Sequence, residues 1–182
     1  ETDISNGLPA FEIVGLAATS VKESKERVRS ALKNSAYEFP MRRITVNLAP
    51  ADLKKDSAGL DVPIAIGILV SSGQIPLEKT TRTLFVGELA LDGCIRPVAG
   101  VLAMILEGVK QGFDTVFISH ENAAEALLCN DVTVYAVSTL LEIVEHLNGK
   151  KLVQPAKSEQ IQDIQPKYTI DFAEVQGQFM AK

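Results

Sequence analysis

The chain of 182 residues contains no tryptophan, two cysteines and two histidines, and only 5% of it is aromatic. Cys94 and Cys129 share no metal or redox spacing with each other or with His120 and His146, so no metal site is expected. Reduced, buried thiols in a cytoplasmic protein are the simple reading. No apolar run reaches the roughly 20 residues that a membrane-spanning helix needs, so no membrane partner is expected. The first residues, Glu1-Thr2-Asp3, are acidic where a secretory leader requires a basic segment. An initiator methionine is missing too, and the chain reads as a piece of a longer protein. Also absent is the string GxxxxGK[ST], whose backbone N–H groups, lysine and hydroxyl would grip a nucleotide's phosphates and Mg²⁺. ATP binding by that chemistry is not expected between Glu1 and Lys182.

What is present suffices for one domain with an appendage: 46% of the residues are hydrophobic. The net charge of −5 is unevenly spread. Residues 21–55 hold nine basic side chains (Lys22, Lys25, Arg27, Arg29, Lys33, Arg42, Arg43, Lys54, Lys55) against four acidic ones, while residues 56–182 hold nine against sixteen. A pI of about 5.1 argues against a dedicated nucleic-acid binder, but a local basic stripe is compatible with it.

The most informative stretch is Arg43 to Ser72. Ile44, Val46 and Leu48 alternate with Thr45 and Asn47, the period of a half-buried strand, and Pro50 stops it. Asp61 is placed as an N-cap, with Pro63 in the first turn. From Val62 to Val70 the helix is apolar on every side and must be buried. The loop from Ala49 to Leu60 therefore rests on a rigid support.

Upstream, residues 11–17 read as a strand ending at Gly15, and Ser20 with Glu23 as a capping box opening a helix to about Asn34. Val21, Val28, Ala31 and Leu32 form its apolar stripe, and Glu23 precedes Arg27 in the favourable order. Lys25, Arg29 and Lys33 line an exposed row, read as a solvated face in preference to a phosphate-binding one. Downstream, Asp92-Gly93 signals a two-residue hairpin pairing Leu91 with Cys94 and Leu89 with Arg96, which buries Cys94. A helix over Val101–Gln111, a strand over Phe113–Ser119, a helix over Glu121–Leu128, a strand over Val132–Val137 and a helix over Thr139–Leu147 follow. That alternation gives an α/β (α+β) fold with a mixed sheet and helices packed on it. The polar, aperiodic stretch after Gly149 reads as a linker.

The segments VKESKERVRSALKNS, FPMRRITVNLAPADLKKDSAGLDVPIAIGIL and GELALDGCIRPVAGVL, taken in that order, resemble the amino-terminal domain of the magnesium-chelatase-like AAA+ ATPases of the ComM/YifB family. The resemblance covers Gly7 to about Asn148. It implies the fold named for the second domain of ribosomal protein S-five, shared with the proteolytic domain of Lon and the carboxy-terminal domain of RadA. DFAEVQGQ, near the end, is similar to the segment ahead of the ATPase core. The implied organisation is a Lon-like domain over 1–149, a linker over 150–170 and the start of an ATPase domain over 171–182.

Several site expectations follow from the resemblance. Asp56-Ser57-Ala58-Gly59 matches the nucleophile loop of Ser/Lys peptidases, but the place of the lysine that would take the serine's proton falls on Leu102. Ser57 and Gly59 are thus expected to form a degenerate nucleophile loop, with the hydroxyl satisfying backbone, and no catalytic residue is expected. The family implies ATP and Mg²⁺ in the ATPase domain and no cofactor here. It implies as partners the AAA+ domain of the same chain, neighbouring protomers of a hexameric ring, and DNA. Arg42, Arg43, Lys54 and Lys55 are the expected DNA contacts, both pairs facing one rim. Asp52, Asp56 and Asp61 crowd one loop, and charge compensation by Lys54 and Lys55 is preferred there to a Mg²⁺ site.

Overall fold

The computed structural model describes residues 1–157; the expected ATPase start at 171–182 and most of the expected linker lie outside the described residues. Two three-stranded sheets and a hairpin carry the architecture. In the first sheet β3 (Arg43–Asn47) is central, antiparallel to β1 (Thr2–Ser5) and parallel to β2 (Ala10–Val14). β1 was not anticipated, since Thr2-Asp3-Ile4-Ser5 offers too little alternation to register. Between β2 and β3 lies α1 (Thr19–Asn34), and after β3 comes α2 (Asp61–Ser71). Ile64, Ala65, Ile66, Ile68 and Leu69 are all buried, so α2 is indeed enclosed.

The second sheet is wholly parallel, in the order β4 (Thr83–Phe85), β7 (Thr115–Ser119), β8 (Thr133–Val137). The short antiparallel pair β5 (Glu88–Leu89) and β6 (Ile95–Arg96) precedes α3 (Val101–Lys110), and α4 (Ala123–Ala126) and α5 (Leu140–Leu147) complete the chain. Parallel strands are normally covered on both faces. Val116, Ile118 and Val134 face a core shared with α3 and α4, whereas Phe117 and Val137 face the core built around α1, α2 and α5. The mixed α/β fold expected from the alternation is thus present, in two layered halves joined by the hairpin.

Four local expectations are corrected. The helix expected over Glu121–Leu128 is a 3-10 turn (His120–Asn122) followed by the short α4. Ser20 does not cap α1: the N-cap is Ala18, without a side-chain bond, and the Ser20 hydroxyl instead donates to Asp56 O at 3.2 Å. Asp61 is the first residue of α2 rather than its cap, because its carboxylate is drawn into the interior. The hairpin is shifted by one residue. Leu89 pairs with Ile95 and Glu88 with Arg96, Ala90 N donates to Cys94 O, and Gly93 N donates to Ala90 O. The loop is therefore the three residues Leu91-Asp92-Gly93, with Gly93 at φ 91°, in the manner of a type I turn closed by a left-handed residue. A one-residue slip swaps faces, so Cys94 is exposed and Arg96 turns outward to Glu88 at 3.4 Å. Packing explains the choice: a Cβ on Gly93 would lie 2.6 Å from Ser35 Oγ, and Asn34 Nδ2 donates to Leu91 O at 2.7 Å.

The beginning of the expected linker is fastened to the domain. Val153 N donates to His146 Nδ1 at 3.1 Å, and Ala156 N donates to Val134 O at 2.8 Å along the outer edge of β8. The ring of His146 lies against an aromatic row that crosses the second sheet in register, Phe85–Phe117–Tyr135, with centroids 5.5 and 4.8 Å apart. Burial pushes the His146 pKa below its ordinary value of 6.5, and its bond to Val153 requires a neutral ring. A histidine depressed in the folded state stabilises it above the unfolded pKa and loses that contribution as pH falls through the folded value. Hydrogen exchange at Val153 and Ala156 is thus expected to speed up relative to the β7 amides between pH 7.5 and 5, and His146→Gln should flatten that dependence.

Candidate functional site

The loop after β3 is held from below and from both sides. Lys55 N donates to Leu16 O at 3.1 Å and Ala18 N donates to Lys55 O at 2.8 Å, so Lys55 continues the parallel pairing beyond β2. Its ammonium donates to Gly15 O at 3.2 Å and to Pro50 O. Ser57 then caps a 3-10 turn (Ala58–Leu60), its Oγ accepting from Gly59 N at 3.1 Å. Gly59 O accepts from Gly87 N, and Val62 N donates to Gly87 O, each at 3.1 Å.

Below the turn lies the densest polar cluster among the described residues. The Asp61 carboxylate is fully buried. One oxygen accepts from the Ser24 hydroxyl and from Arg27 Nη2 at 3.1 Å; the other accepts from Arg27 Nε at 2.6 Å and from Leu89 N at 3.1 Å. Arg27 Nη2 also reaches Ser20 O at 3.2 Å. Hydrogen bonding to Asp61 drives the Arg27 pKa upward. These contacts lock α1, α2 and β5 together directly beneath the Ser57 turn. The sequence reading paired Arg27 with Glu23 and missed this. The signal was Ser24, a polar residue inside the stripe of Val21, Val28 and Ala31, which calls for a buried partner.

The Ser57 turn and the bend Pro97–Gly100, after which Ser/Lys peptidases carry their lysine, are neighbours. A Cβ on Gly59 would stand 3.2 Å from Ser57 Oγ and 3.5 Å from both Val98 methyl groups, so the bend ahead of α3 packs over the turn. Asn122 clamps that bend, its amide exchanging bonds of 3.0 and 2.9 Å with Val98 N and O. Leu102 packs against the core of α3 and α4, and its N–H donates to Glu125 Oε1 at 3.0 Å. Among the described residues no lysine ammonium hydrogen-bonds to Ser57. The hydroxyl serves as a backbone acceptor, the role expected for it. The three loop aspartates do not converge, since Asp61 is buried on Arg27 while Asp52 and Asp56 are exposed.

The four basic residues expected to share a rim do not share one. Arg43 opens β3 and Lys54-Lys55 follow its far end. Five residues of strand put these ends about 13 Å apart at 3.3 Å per residue. Arg43 is drawn to Glu12 at 3.5 Å and Lys55 is folded onto carbonyls, leaving Arg42 and Lys54 exposed and without an ion pair among the described residues. Arg42 instead meets α1. It lines a groove of about 270 Å³ together with Lys25, Glu26, Arg29, Phe39 and Met41. The Arg29 guanidinium lies over the Phe39 ring at 5.6 Å.

Comparison with known proteins fits this geometry. Residues 1–122 match the family model described as subunit ChlI of Mg-chelatase. The chain is 43% identical over its whole length to competence protein ComM of Haemophilus influenzae, covering 36% of that protein. It is 39% identical over its whole length to YifB of Salmonella typhimurium, covering 35% of it. It thus spans about a third of these relatives. Over 78% of the chain it is 26% identical to Lon protease 2 of Bacillus subtilis, and over 53% it is 32% identical to DNA repair protein RadA of Listeria monocytogenes, which accords with the Lon-like fold. Full coverage at such identity, with the Ser57 turn and the α3 bend in the places the resemblance gave them, means that the chain belongs to the Mg-chelatase ChlI-related family, with ComM and YifB among its relatives.

Proposed function

We propose that this domain is a non-catalytic accessory module of a magnesium-chelatase-like AAA+ ATPase of the ComM/YifB type, contributing DNA contact or subunit assembly to ATP-driven DNA remodelling such as branch migration during recombination and the uptake of transforming DNA. The observation that carries this reading is that the Ser57 hydroxyl accepts from Gly59 N, while Leu102, at the place of the peptidase lysine in the resemblance, packs against the core of α3 and α4. Where a Ser/Lys peptidase would have a nucleophile and an amine, this domain has a backbone cap and a leucine packed among apolar neighbours. ATP and Mg²⁺ are bound by the ATPase domain of the cytoplasmic parent protein, and this domain meets that domain and the neighbouring protomers of a hexameric ring.

The test is the full-length parent with and without residues 1–149. ATP hydrolysis should persist in the shortened protein, while affinity for forked DNA or ring assembly falls; shortening that affects neither would remove the proposal. DNA affinity should also drop steeply with added salt. Ser57→Ala should cost roughly 1 kcal/mol of stability, as the loss of a cap does, and leave casein uncut, as in the parent. Casein cleavage that disappears in Ser57→Ala would establish a peptidase instead.

Assembly without DNA contact is the second reading. Met104 and Leu106 on α3 and Leu128 after α4 are exposed apolar side chains, suited to an adjoining protein surface. Sedimentation of the domain against the full-length chain, with and without DNA, separates the two.

A further inference from the structure

The basic residues of the segment 21–55 are sorted by the fold into two classes. Arg27 is committed to Asp61, Arg43 to Glu12 and Lys55 to backbone carbonyls. Six others, Lys22, Lys25, Arg29, Lys33, Arg42 and Lys54, form no ion pair or side-chain hydrogen bond among the described residues. Five of the six lie together. Lys22, Lys25, Arg29 and Lys33 follow the i, i+3, i+7, i+11 spacing that keeps them on one side of α1, alongside its buried stripe. Arg42 joins them across the groove that it shares with Lys25 and Arg29.

We infer that this row is a track for the phosphodiester backbone of a nucleic-acid strand, running along α1 from Lys22 to Lys33 with Arg42 at its side. This rests on the accessory-domain reading above and gives its DNA contact a place other than the rim of β3. At a rise of 1.5 Å per residue the row extends about 17 Å, with steps of about 6 Å between Lys25, Arg29 and Lys33, intervals on the scale of successive nucleotides. Like charges at i, i+4 disfavour a helix, and two such pairs stand here, Lys25–Arg29 and Arg29–Lys33, with Glu26 the acid beside them. An anion laid over them relieves that repulsion. The Arg29 guanidinium lies over the Phe39 ring, which restrains it, and among the described residues no acceptor takes its N–H groups. The strongly acidic remainder of the chain repels a polyanion and so confines it to this face. An acidic protein surface would meet the same charges, but it has no reason to match their regular spacing.

The experiment is fluorescence anisotropy with the 182-residue chain and labelled single-stranded, duplex and forked DNA of one sequence, at several salt concentrations. The variant Lys22→Gln/Lys25→Gln/Arg29→Gln/Arg42→Gln should bind at least about 30-fold more weakly at low salt, and the slope of log affinity against log salt should shrink by about 3. Glu26→Gln should bind several-fold more tightly, which a merely structural role would not produce. Lys54→Gln should change little. Circular dichroism of the fourfold variant should match the parent, because none of the four side chains makes an ion pair or a side-chain hydrogen bond among the described residues. The preferred substrate arm tells whether a single strand or a duplex lies on the track. Binding by the parent that survives the fourfold change, or is abolished by Lys54→Gln alone, would overturn this inference while leaving the DNA-contact reading intact. If the parent binds none of the three DNAs, both fall and the assembly reading stands.

Discussion

Replacing Arg27 by methionine should destabilise the protein by about 3–5 kcal/mol, on the order of 10 °C or more in Tm, although Arg27 touches no expected ligand. The Asp61 carboxylate is wholly buried, and without Arg27 it retains only the Ser24 hydroxyl and the Leu89 N–H. An uncompensated buried charge is far more costly than a weakened surface pair. Asp61→Ala should also be severe but somewhat milder, because the Arg27 side chain is 21% exposed and its freed guanidinium can swing toward water. The double variant Arg27→Met/Asp61→Leu should then lose clearly less than the sum of the single changes, since replacing both partners of a buried pair by apolar groups is often tolerated. Urea titration of the three variants supplies the cycle. Additive losses would show that the two residues act independently, contrary to the geometry. Because the pair joins α1, α2 and β5 under the Ser57 turn, hydrogen exchange at Gly59 and Leu89 should accelerate in the single variants ahead of that in β7.

Gly15→Ala is the second large effect. Gly15 sits at φ 97°, where side-chain-bearing residues are strained, and an added Cβ would lie 2.9 Å from Leu48 C and 3.1 Å from Leu48 N, with Leu48 O closer still. These are backbone atoms of the adjoining chain and cannot rotate aside. Strain of about 1–3 kcal/mol and a similar overpacking term predict a loss of about 3–5 kcal/mol. The damage should be local in origin. Leu48 N donates to Val14 O, and Lys55 bonds to both Gly15 O and Leu16 O, so the loop from Ala49 to Ser57 should lose its anchorage first. Limited proteolysis near Leu53 should therefore rise at denaturant concentrations that leave α5 protected. A variant with native stability and an uncut loop would contradict this packing.

These two positions also show what a sequence can reveal. The apolar run from Val62 to Val70 announced a buried helix, and the alternation of Ile44 and Val46 announced β3, because hydrophobic burial follows residue order with a fixed period. That β7 and β8 are strands separated by a helical segment was legible in the same way. The Ser57 turn and the leucine at 102 were readable through family resemblance, since both lie in short continuous segments.

What depended on contacts between distant segments was not legible. Asp61 and Ser20 have the chemistry of helix caps, and local rules assign them that task; the fold gives Ser20 a partner 36 residues away in the loop ahead of α2, and gives Asp61 partners 28 to 37 residues away. Asp92-Gly93 permits either a two- or a three-residue loop, and it was the fit of Gly93 against Ser35 that selected the longer one and turned Cys94 outward. Arg42, Arg43, Lys54 and Lys55 looked like one group because they are close in number, yet β3 holds the pairs apart and sets Arg42 beside a helix formed earlier in the chain. Hydrophobic periodicity and turn propensity are properties of neighbouring residues, so the order of residues by itself determined most of the helices and strands, though not β1, the short α4 or the register of the hairpin. Which charge meets which is a matter of long-range juxtaposition, settled only when the sheets and helices had packed.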